Sequence, residues 1–331
     1  MKQTLSPSAA MAGAGAAVLA RLYYGLTVES PGSPGGAWLS ALLGMGLALP
    51  AVHWARPLGR QGGALIPLLL ALTAVDAASV MEGTAFSESF LAFSHVAVPV
   101  LMLPLALAAL RVTLLGGNAI GSAARVWMRA LSVLMAVVVA CQWPWYRPAW
   151  LMPLLGDGPA AVLRRGVQSA GWISMLAMGT MSLCEKPPRA GRVTVCLALS
   201  AGVAAVLIAL RLMMAPQLAG AVLSRSARVD ALLTNGRAPL NLQLPMIVIW
   251  FMAMLHLLCF EGFIIAALLN RCFPRLNWGL CCAVTVAGVY AMAAFGFRET
   301  TWLAAARFPA LLLAILAARM WRKGGARACE G

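Results

Sequence analysis

The sequence is a succession of long apolar stretches, and this succession restricts the chain to a helical membrane fold. A helix that crosses the hydrocarbon core of a bilayer needs about 20 apolar residues. The 331 residues are 62% hydrophobic and 11% charged, whereas soluble domains carry about a quarter charged residues. We therefore predict one all-α integral membrane domain over residues 1–331. Its predicted spans cover residues 8–27, 37–55, 64–82, 92–111, 126–143, 168–184, 194–215, 244–269, 277–296 and 301–320.

The distribution of Lys and Arg predicts how these ten transmembrane helices are oriented. Cytoplasmic loops carry an excess of basic residues. With both termini in the cytoplasm, 15 of the 25 basic residues lie on the inner side and eight on the outer side, while Arg21 and Arg307 lie within spans. We expect a multi-pass protein of a bacterial cytoplasmic membrane, with a first span that is retained. The net charge of +15 is therefore a topology signal first, and attraction to anionic lipid is a secondary consequence. Nucleic acid is not an expected partner, because the charge density is low.

The sequence carries none of the short motifs that indicate an enzyme or a metal site. It has no His-Glu-x-x-His pair, no P-loop and no Gly-x-Ser-x-Gly turn. Its eight cysteines have no metal-ligand spacing and most lie in apolar stretches, as small apolar residues do. We therefore expect no catalytic residues, no bound metal and no cofactor.

Glycines interrupt the first and the sixth apolar stretch. Gly13 and Gly15 lie in span one, and Gly166, Gly171 and Gly179 lie in or next to span six. Small residues allow helices to pack closely, but they also occur where a broken helix exposes its backbone to a ligand. Because spans one and six correspond in two five-span halves, the coincidence predicts a 5+5 inverted-repeat transporter-like fold in which both spans are interrupted.

Ionisable residues inside spans are costly and usually mark a function or a buried pair. Arg21 and Asp76 fall in the outer halves of their spans, and a pair of Arg21 with Asp76 or Glu82 is plausible. Asp76 either holds two helices together through such a pair or faces a cavity and meets the amino group of a ligand. Arg307 is expected to extend outward to the interface. His256 and Glu261 are five residues apart and thus lie on different faces of span eight.

One predicted connection differs from the others because apolar and basic residues alternate in it. Residues 216–240 place Leu and Val side chains between Arg225, Arg228 and Arg237. This pattern is typical of an amphipathic helix. The helix either lies on the outer face or plugs an outer vestibule.

Several stretches resemble one family in their order along the chain. They are Leu5-Ser6-Pro7, Gly36-Ala37-Trp38-Leu39-Ser40, Gly116-Gly117-Asn118-Ala119-Ile120-Gly121 with Arg125, Met152-Pro153-Leu154-Leu155-Gly156-Asp157-Gly158-Pro159, Leu232-Leu233-Thr234-Asn235-Gly236-Arg237, and Gln243-Leu244-Pro245 with Trp250. The chain resembles a divergent member of the GerAB-type spore germination permeases. These are the membrane-embedded B subunits of nutrient germinant receptors, and they are related to amino acid–polyamine–organocation transporters.

The resemblance implies a ligand pocket among spans one, three, six and eight, and an amino acid as its ligand. The ligand carboxylate would meet free backbone N–H groups at the helix break, as anions do at helix N-termini. Carried onto this sequence, the pocket would be formed by Gly13, Ala14, Gly15, Asp76, Ser79, Ser169, Gly171, Trp172, Met252 and His256.

Three functions remain open at this point. The resemblance implies a nutrient-sensing subunit in the spore inner membrane that signals germination through A-type and C-type lipoprotein receptor subunits. The first alternative is a secondary active transporter of amino acids or related small solutes. The second is a structural membrane subunit whose pocket has decayed.

Overall fold

The protein is a bundle of α-helices. A computed structural model describes residues 5–26, 36–56, 65–91, 96–143, 146–152, 154–156, 158–184, 188–214, 243–297 and 299–328. A short 3-10 helix, Pro148–Leu151, follows the fifth α-helix. Within the described residues the α-helices are Pro7–Tyr24 (α1), Ala37–Ala55 (α2), Leu65–Leu91 (α3), Val98–Leu115 (α4), Gly117–Gln142 (α5), Pro159–Leu183 (α6), Ala190–Met214 (α7), Gln243–Cys272 (α8), Trp278–Ala294 (α9) and Thr301–Ala328 (α10).

The length and composition of these helices make the chain a helical multi-pass membrane protein. Among the described residues, seven helices are long and apolar enough to cross a membrane, namely α2, α3, α4, α5, α7, α8 and α10. α9 is apolar but has 17 residues. α8 is the most enclosed of the seven, with 78% of its most apolar stretch buried, against 22% for α5 and for α10. α8 therefore lies at the centre of the bundle, and α5 and α10 at its edge.

Several helices have ends that differ from those of the predicted spans, and two of these differences have a local cause. α5 begins at Gly117 rather than at residue 126, directly after Gly116, whose φ of 87° separates it from α4. α6 begins at Pro159 rather than at residue 168, since proline is well suited to the first turn of a helix. α3 continues to Leu91, beyond the predicted end at residue 82. The predicted amphipathic segment 216–240 lies outside the described residues.

The predicted interruptions of spans one and six are wrong. α1 runs without a break from Pro7 to Tyr24, and α6 from Pro159 to Leu183. Inside a membrane the backbone has no water with which to form hydrogen bonds. The cost of breaking helical hydrogen bonds there is therefore larger than the cost of placing a glycine in a helix. A Cβ atom on Gly13 would lie 2.5 Å from Phe260 Cε2, and one on Gly15 would lie 2.8 Å from Cys196 Sγ. These glycines allow close helix packing.

Contacts at the helix ends show that α1 runs in the opposite direction to α6, whereas α10 runs in the same direction as α2. Leu5 N at the start of α1 donates to Leu183 O at the end of α6, at 3.3 Å. Arg319 Nε near the end of α10 donates to Trp54 O near the end of α2, at 3.1 Å. α1 packs against α5, α6, α7 and α8, while α3 packs against α4, α8, α9 and α10. Side chains from α1, α3, α6, α8 and α10 can thus meet inside the bundle.

Candidate functional site: a buried ion network

Arg21 and Asp76 form a hydrogen-bonded ion pair in the interior. Both side chains are fully buried. Arg21 Nε donates to Asp76 Oδ1 and Oδ2 at 3.1 and 3.0 Å, and Arg21 Nη2 donates to Oδ1 at 2.8 Å. A buried carboxylate and a guanidinium stabilise each other only when both are paired and hydrogen-bonded. The predicted pairing of Arg21 with Asp76 is therefore confirmed, and it joins α1 to α3.

Arg307 and Glu299 extend this pair into a network of four charges. Arg307 Nη2 lies 3.0 Å from Asp76 Oδ1 and also contacts Glu299 Oε1. Glu299, which lies between α9 and α10, accepts a hydrogen bond of 3.2 Å from Arg21 Nη2. Its backbone N donates to Ser79 Oγ at 2.7 Å, which fixes the connection against α3. We name Arg21, Asp76, Glu299 and Arg307 the ion network.

The direction of Arg307 corrects the sequence-based expectation. Arg307 does not extend outward to the interface but is fully buried. None of its N–H groups is aligned for a hydrogen bond with a residue that the structure describes. Arg307 is thus held by charge attraction, and its donors are not saturated.

α6 provides the wall that receives both arginines. The guanidinium of Arg21 lies over the ring of Trp172, with Cζ 4.1 Å from the ring centre, a distance suited to a cation–π contact. Gly171 leaves room for Arg307, because a Cβ atom at this position would lie 3.2 Å from Arg307 Cβ. Trp172 Nε1 is buried and has no hydrogen-bond partner within the described part of the chain. The glycine and the tryptophan of α6 therefore shape the space around the two cations.

Glu261 of α8 lies beside the ion network. It is fully buried and interacts electrostatically with Asp76, Arg21 and Arg307. Neither of its carboxyl oxygens accepts a hydrogen bond from a described residue. The site thus contains a buried acid whose hydrogen-bonding capacity is unused, next to the incompletely bonded Arg307.

The network lies near the end of α1 and the start of α10. With a rise of about 1.5 Å per residue, Arg21 is about 5 Å from the end of α1 at Tyr24, and Arg307 is about 9 Å from the start of α10 at Thr301. Glu299 lies in the connection before α10. The network therefore lies towards the side of the bundle at which α1 ends and α10 begins.

The predicted pocket residues fall into separate groups. The structure brings Asp76, Ser79, Gly171 and Trp172 together at the ion network. Gly13, Ala14 and Gly15 are buried elsewhere on α1, and Gly13 O pairs with His256 Nε2 at 3.2 Å. The ring centre of His256 also lies 5.4 Å from that of Trp127 and 6.0 Å from that of Phe260. His256 thus joins α8 to α1 and α5, away from the ion network.

The remaining two predicted residues, Met252 and Ser169, differ in their exposure. Met252 is 44% exposed, and its assignment to a pocket stays a prediction. It lies on the opposite side of α8 from the enclosed surface, where an apolar side chain suits lipid. Ser169 is fully buried. It lies where α2 packs on α6, so close to Gly44 that a Cβ atom on this glycine would clash with Ser169 Cβ.

Glu299 is the residue of this site that sequence reasoning missed, and Arg307 was seen but placed wrongly. Glu299 follows an apolar stretch and precedes another, which is the ordinary place for a loop charge. The sequence does contain one indication of its role. Arg307 is a cation inside a predicted span with no acidic partner on its own helix, and Glu299 precedes it by eight residues.

Within the described residues, no group of three or more His, Cys, Asp or Glu side chains could hold a metal ion. The arrangement instead offers two guanidinium groups and three carboxyl groups from five parts of the chain. Such a site can bind a small molecule that carries both charges, or it can hold a proton.

No protein-family model matches this chain, and no curated protein matches it. The resemblance to the germination permeases therefore stays a prediction. The fold and the site define the chain as a helical multi-pass membrane protein with a buried ion network in its interior.

Proposed function

We propose that the protein is a non-enzymatic membrane subunit that binds a small zwitterionic nutrient, an amino acid in the first instance, at the ion network. One observation carries this proposal: a guanidinium and a carboxyl group, Arg307 and Glu261, lie buried near each other with unused hydrogen-bonding capacity. Leaving buried polar groups unbonded costs about 1–3 kcal/mol each, and more for charged groups. A ligand that satisfies both groups recovers this cost.

The chemistry of the two groups selects the ligand class. A carboxylate accepts from the fork of N–H groups on Arg307, which binds planar anions well. An ammonium group donates to Glu261 or Asp76. A free amino acid carries both groups a short distance apart, whereas a purely anionic or cationic solute satisfies one side only.

Continuous helices favour sensing as the consequence of binding. Transporter sites in inverted-repeat folds are typically built from broken helices, and here α1 and α6 are unbroken and closely packed. Binding at charges from α1, α3 and α10 changes how these helices are held together, and a partner subunit can read that change. In the form that the resemblance implies, the partners are the A-type subunit and the C-type lipoprotein of a germinant receptor in the spore inner membrane.

Secondary transport of the same solutes is the second candidate, and the ionisable groups within the membrane helices favour it. Such groups are a common feature of solute pathways. This alternative retains the predicted 5+5 transporter-like arrangement, in which the ion network alternates between the two sides. Both candidates use the same binding site and differ in whether the solute crosses.

Thermal unfolding of the purified protein with each standard amino acid tests the binding. We expect a rise in melting temperature with at least one amino acid, and no rise with its methyl ester or its N-acetyl derivative. Arg307→Gln should remove the rise, while Arg129→Gln, which removes an exposed charge on α5, should leave it unchanged. The binding proposal fails if no amino acid raises the melting temperature or if the blocked derivatives act equally well.

Uptake into vesicles then separates the two candidates. The amino acid that raises the melting temperature is supplied in labelled form to vesicles that contain the protein. No accumulation above empty vesicles supports sensing. Accumulation that Arg307→Gln abolishes contradicts it and establishes transport.

A further inference from the structure

Within the described residues, Glu261 is the one carboxyl group at the site that forms no direct ion pair with an arginine. Arg21 and Arg307 contact Asp76 and Glu299, and no ion pair to Glu261 is formed. Glu261 is nevertheless fully buried in the central helix α8. Whether Glu261 carries a proton therefore depends on the groups that surround it.

The charges of the ion network already balance without Glu261. Arg21 and Arg307 carry two positive charges, and Asp76 and Glu299 carry two negative charges. An ionised Glu261 would leave a net negative charge in an apolar interior, where an unpaired charge is strongly disfavoured. Among these described groups, charge balance thus favours a neutral Glu261 while the site is empty.

The position of Asp76 leads to the same conclusion. Its carboxyl group interacts electrostatically with Glu261. Two ionised carboxylates have acceptors only and repel each other, whereas a carboxylic acid donates to a carboxylate. A contact between Glu261 and Asp76 is therefore favourable when one of them carries a proton, and Asp76 is the one that Arg21 and Arg307 hold in the ionised form.

We propose that Glu261 is a proton-binding site in the empty protein and that a bound ammonium group replaces this proton. In the exchange, the O–H bond of Glu261 breaks, the proton leaves to water, and the Glu261 carboxylate pairs with the incoming ammonium. The ligand ammonium takes over the positive charge of the lost proton beside Glu261. The ligand carboxylate takes the place of Glu299 beside Arg307, so that the net charge of the buried site does not change. The exchange rests on the proposed function, whereas the proton on Glu261 does not.

The surroundings of Glu261 define which groups take part. The described charged groups that act on it are Asp76 from α3, Arg21 from α1 and Arg307 from α10. α4, α5, α6 and α9 also pack against α8, and none of the described charges that act on Glu261 comes from them. His256, on α8 itself, contacts Gly13 and the ring of Trp127 instead.

Infrared spectroscopy of the purified protein at neutral pH tests the proton directly. We expect the C=O stretching band of a protonated carboxyl group, and we expect Glu261→Gln to remove it. Glu82→Gln, which alters an acid of α3 outside the ion network, should leave the band in place. Glu261→Asp keeps a carboxyl group in a new position and should shift the band.

The proton site is refuted if the unaltered protein shows no such band at neutral pH, or if the band persists unchanged in both Glu261 variants. The first result needs no variant, so the test stands even if a substitution prevents folding. As a second measure, Glu261→Gln should unfold at the same temperature as the unaltered protein, because glutamine imitates a neutral acid.

A pH indicator in weakly buffered solution tests the exchange. We expect release of one proton for each molecule of the amino acid that raises the melting temperature. Binding without proton release overturns the exchange. If no amino acid binds while the infrared band depends on Glu261, the proposed function fails and the proton site stands.

Discussion

Asp76→Asn removes the charge on which the ion network converges while keeping the size of the side chain. Asp76 accepts three hydrogen bonds from Arg21 and lies 3.0 Å from Arg307 Nη2. Removing one partner from a buried ion pair costs about 3–5 kcal/mol, because the other charge stays buried and uncompensated. Glu261 can lose its proton and supply part of the missing charge, which places the expected loss near the lower limit, about 3 kcal/mol.

Denaturant unfolding in detergent micelles, followed by tryptophan fluorescence, measures this loss. Asp76→Asn should unfold at a clearly lower denaturant concentration than the unaltered protein. Arg129→Gln, which removes a charge from the exposed side of α5, should unfold where the unaltered protein does, since exposed ion pairs contribute little.

A second substitution separates a charge effect from a packing effect. Asp76→Asn combined with Arg307→Gln restores the balance of charges, so that the double variant should be more stable than the sum of the two single losses predicts. Contacting residues in one network typically show such coupling, at about 0.5–3 kcal/mol. An unchanged midpoint for Asp76→Asn, or strictly additive losses in the double variant, would refute the reasoning.

Three further predictions concern packing, the cation–π contact and orientation. Gly44→Ala should destabilise the protein by about 1–3 kcal/mol, because its Cβ atom would lie 2.9 Å from Gly166 O. Gly46→Ala, two residues further along α2 and facing open space, should be neutral or slightly stabilising, and equal losses would contradict the packing argument. Trp172→Leu should cost about 0.5–2 kcal/mol in the same unfolding assay, whereas Trp143→Leu, at a 70% exposed position, should not. A membrane-impermeant maleimide should label the exposed Cys272 only after cells are permeabilised, with Cys272→Ser as the control, and labelling in intact cells would reverse the predicted orientation.

The helices and one ion pair could be predicted from the sequence because their causes are local or few. Apolar stretches of the required length predict membrane helices regardless of their neighbours. The pairing of Arg21 with Asp76 followed from the rarity of charges inside spans. With so few ionisable groups available, two of opposite sign at a similar depth form a pair.

The errors arise where the neighbours decide the outcome. Gly13 and Gly15 suggested a broken helix because their helix propensity is low, but Phe260 and Cys196 on other helices fill the space beside them. Which residue packs there depends on the arrangement of α1, α7 and α8, and that arrangement is not encoded in the stretch around the glycines. The direction of Arg307 depended in the same way on Glu299, which the sequence places in a connection between apolar stretches.

The position of Glu299 explains how a network of ion pairs could respond to a ligand under the proposed function. Asp76, Arg21 and Arg307 lie on helices whose backbones are fixed by their own hydrogen bonds, whereas Glu299 lies in the connection before α10 and is held by Ser79. A ligand carboxylate carries the same charge as Glu299 and can take its place beside Arg307 without leaving that cation uncompensated. Because no charge in an apolar interior can change alone, this replacement couples the connection before α10 to the pair that joins α1 and α3. Under the proposed function, the buried charges would thus transmit the arrival of a solute or the loss of a proton to several helices at once.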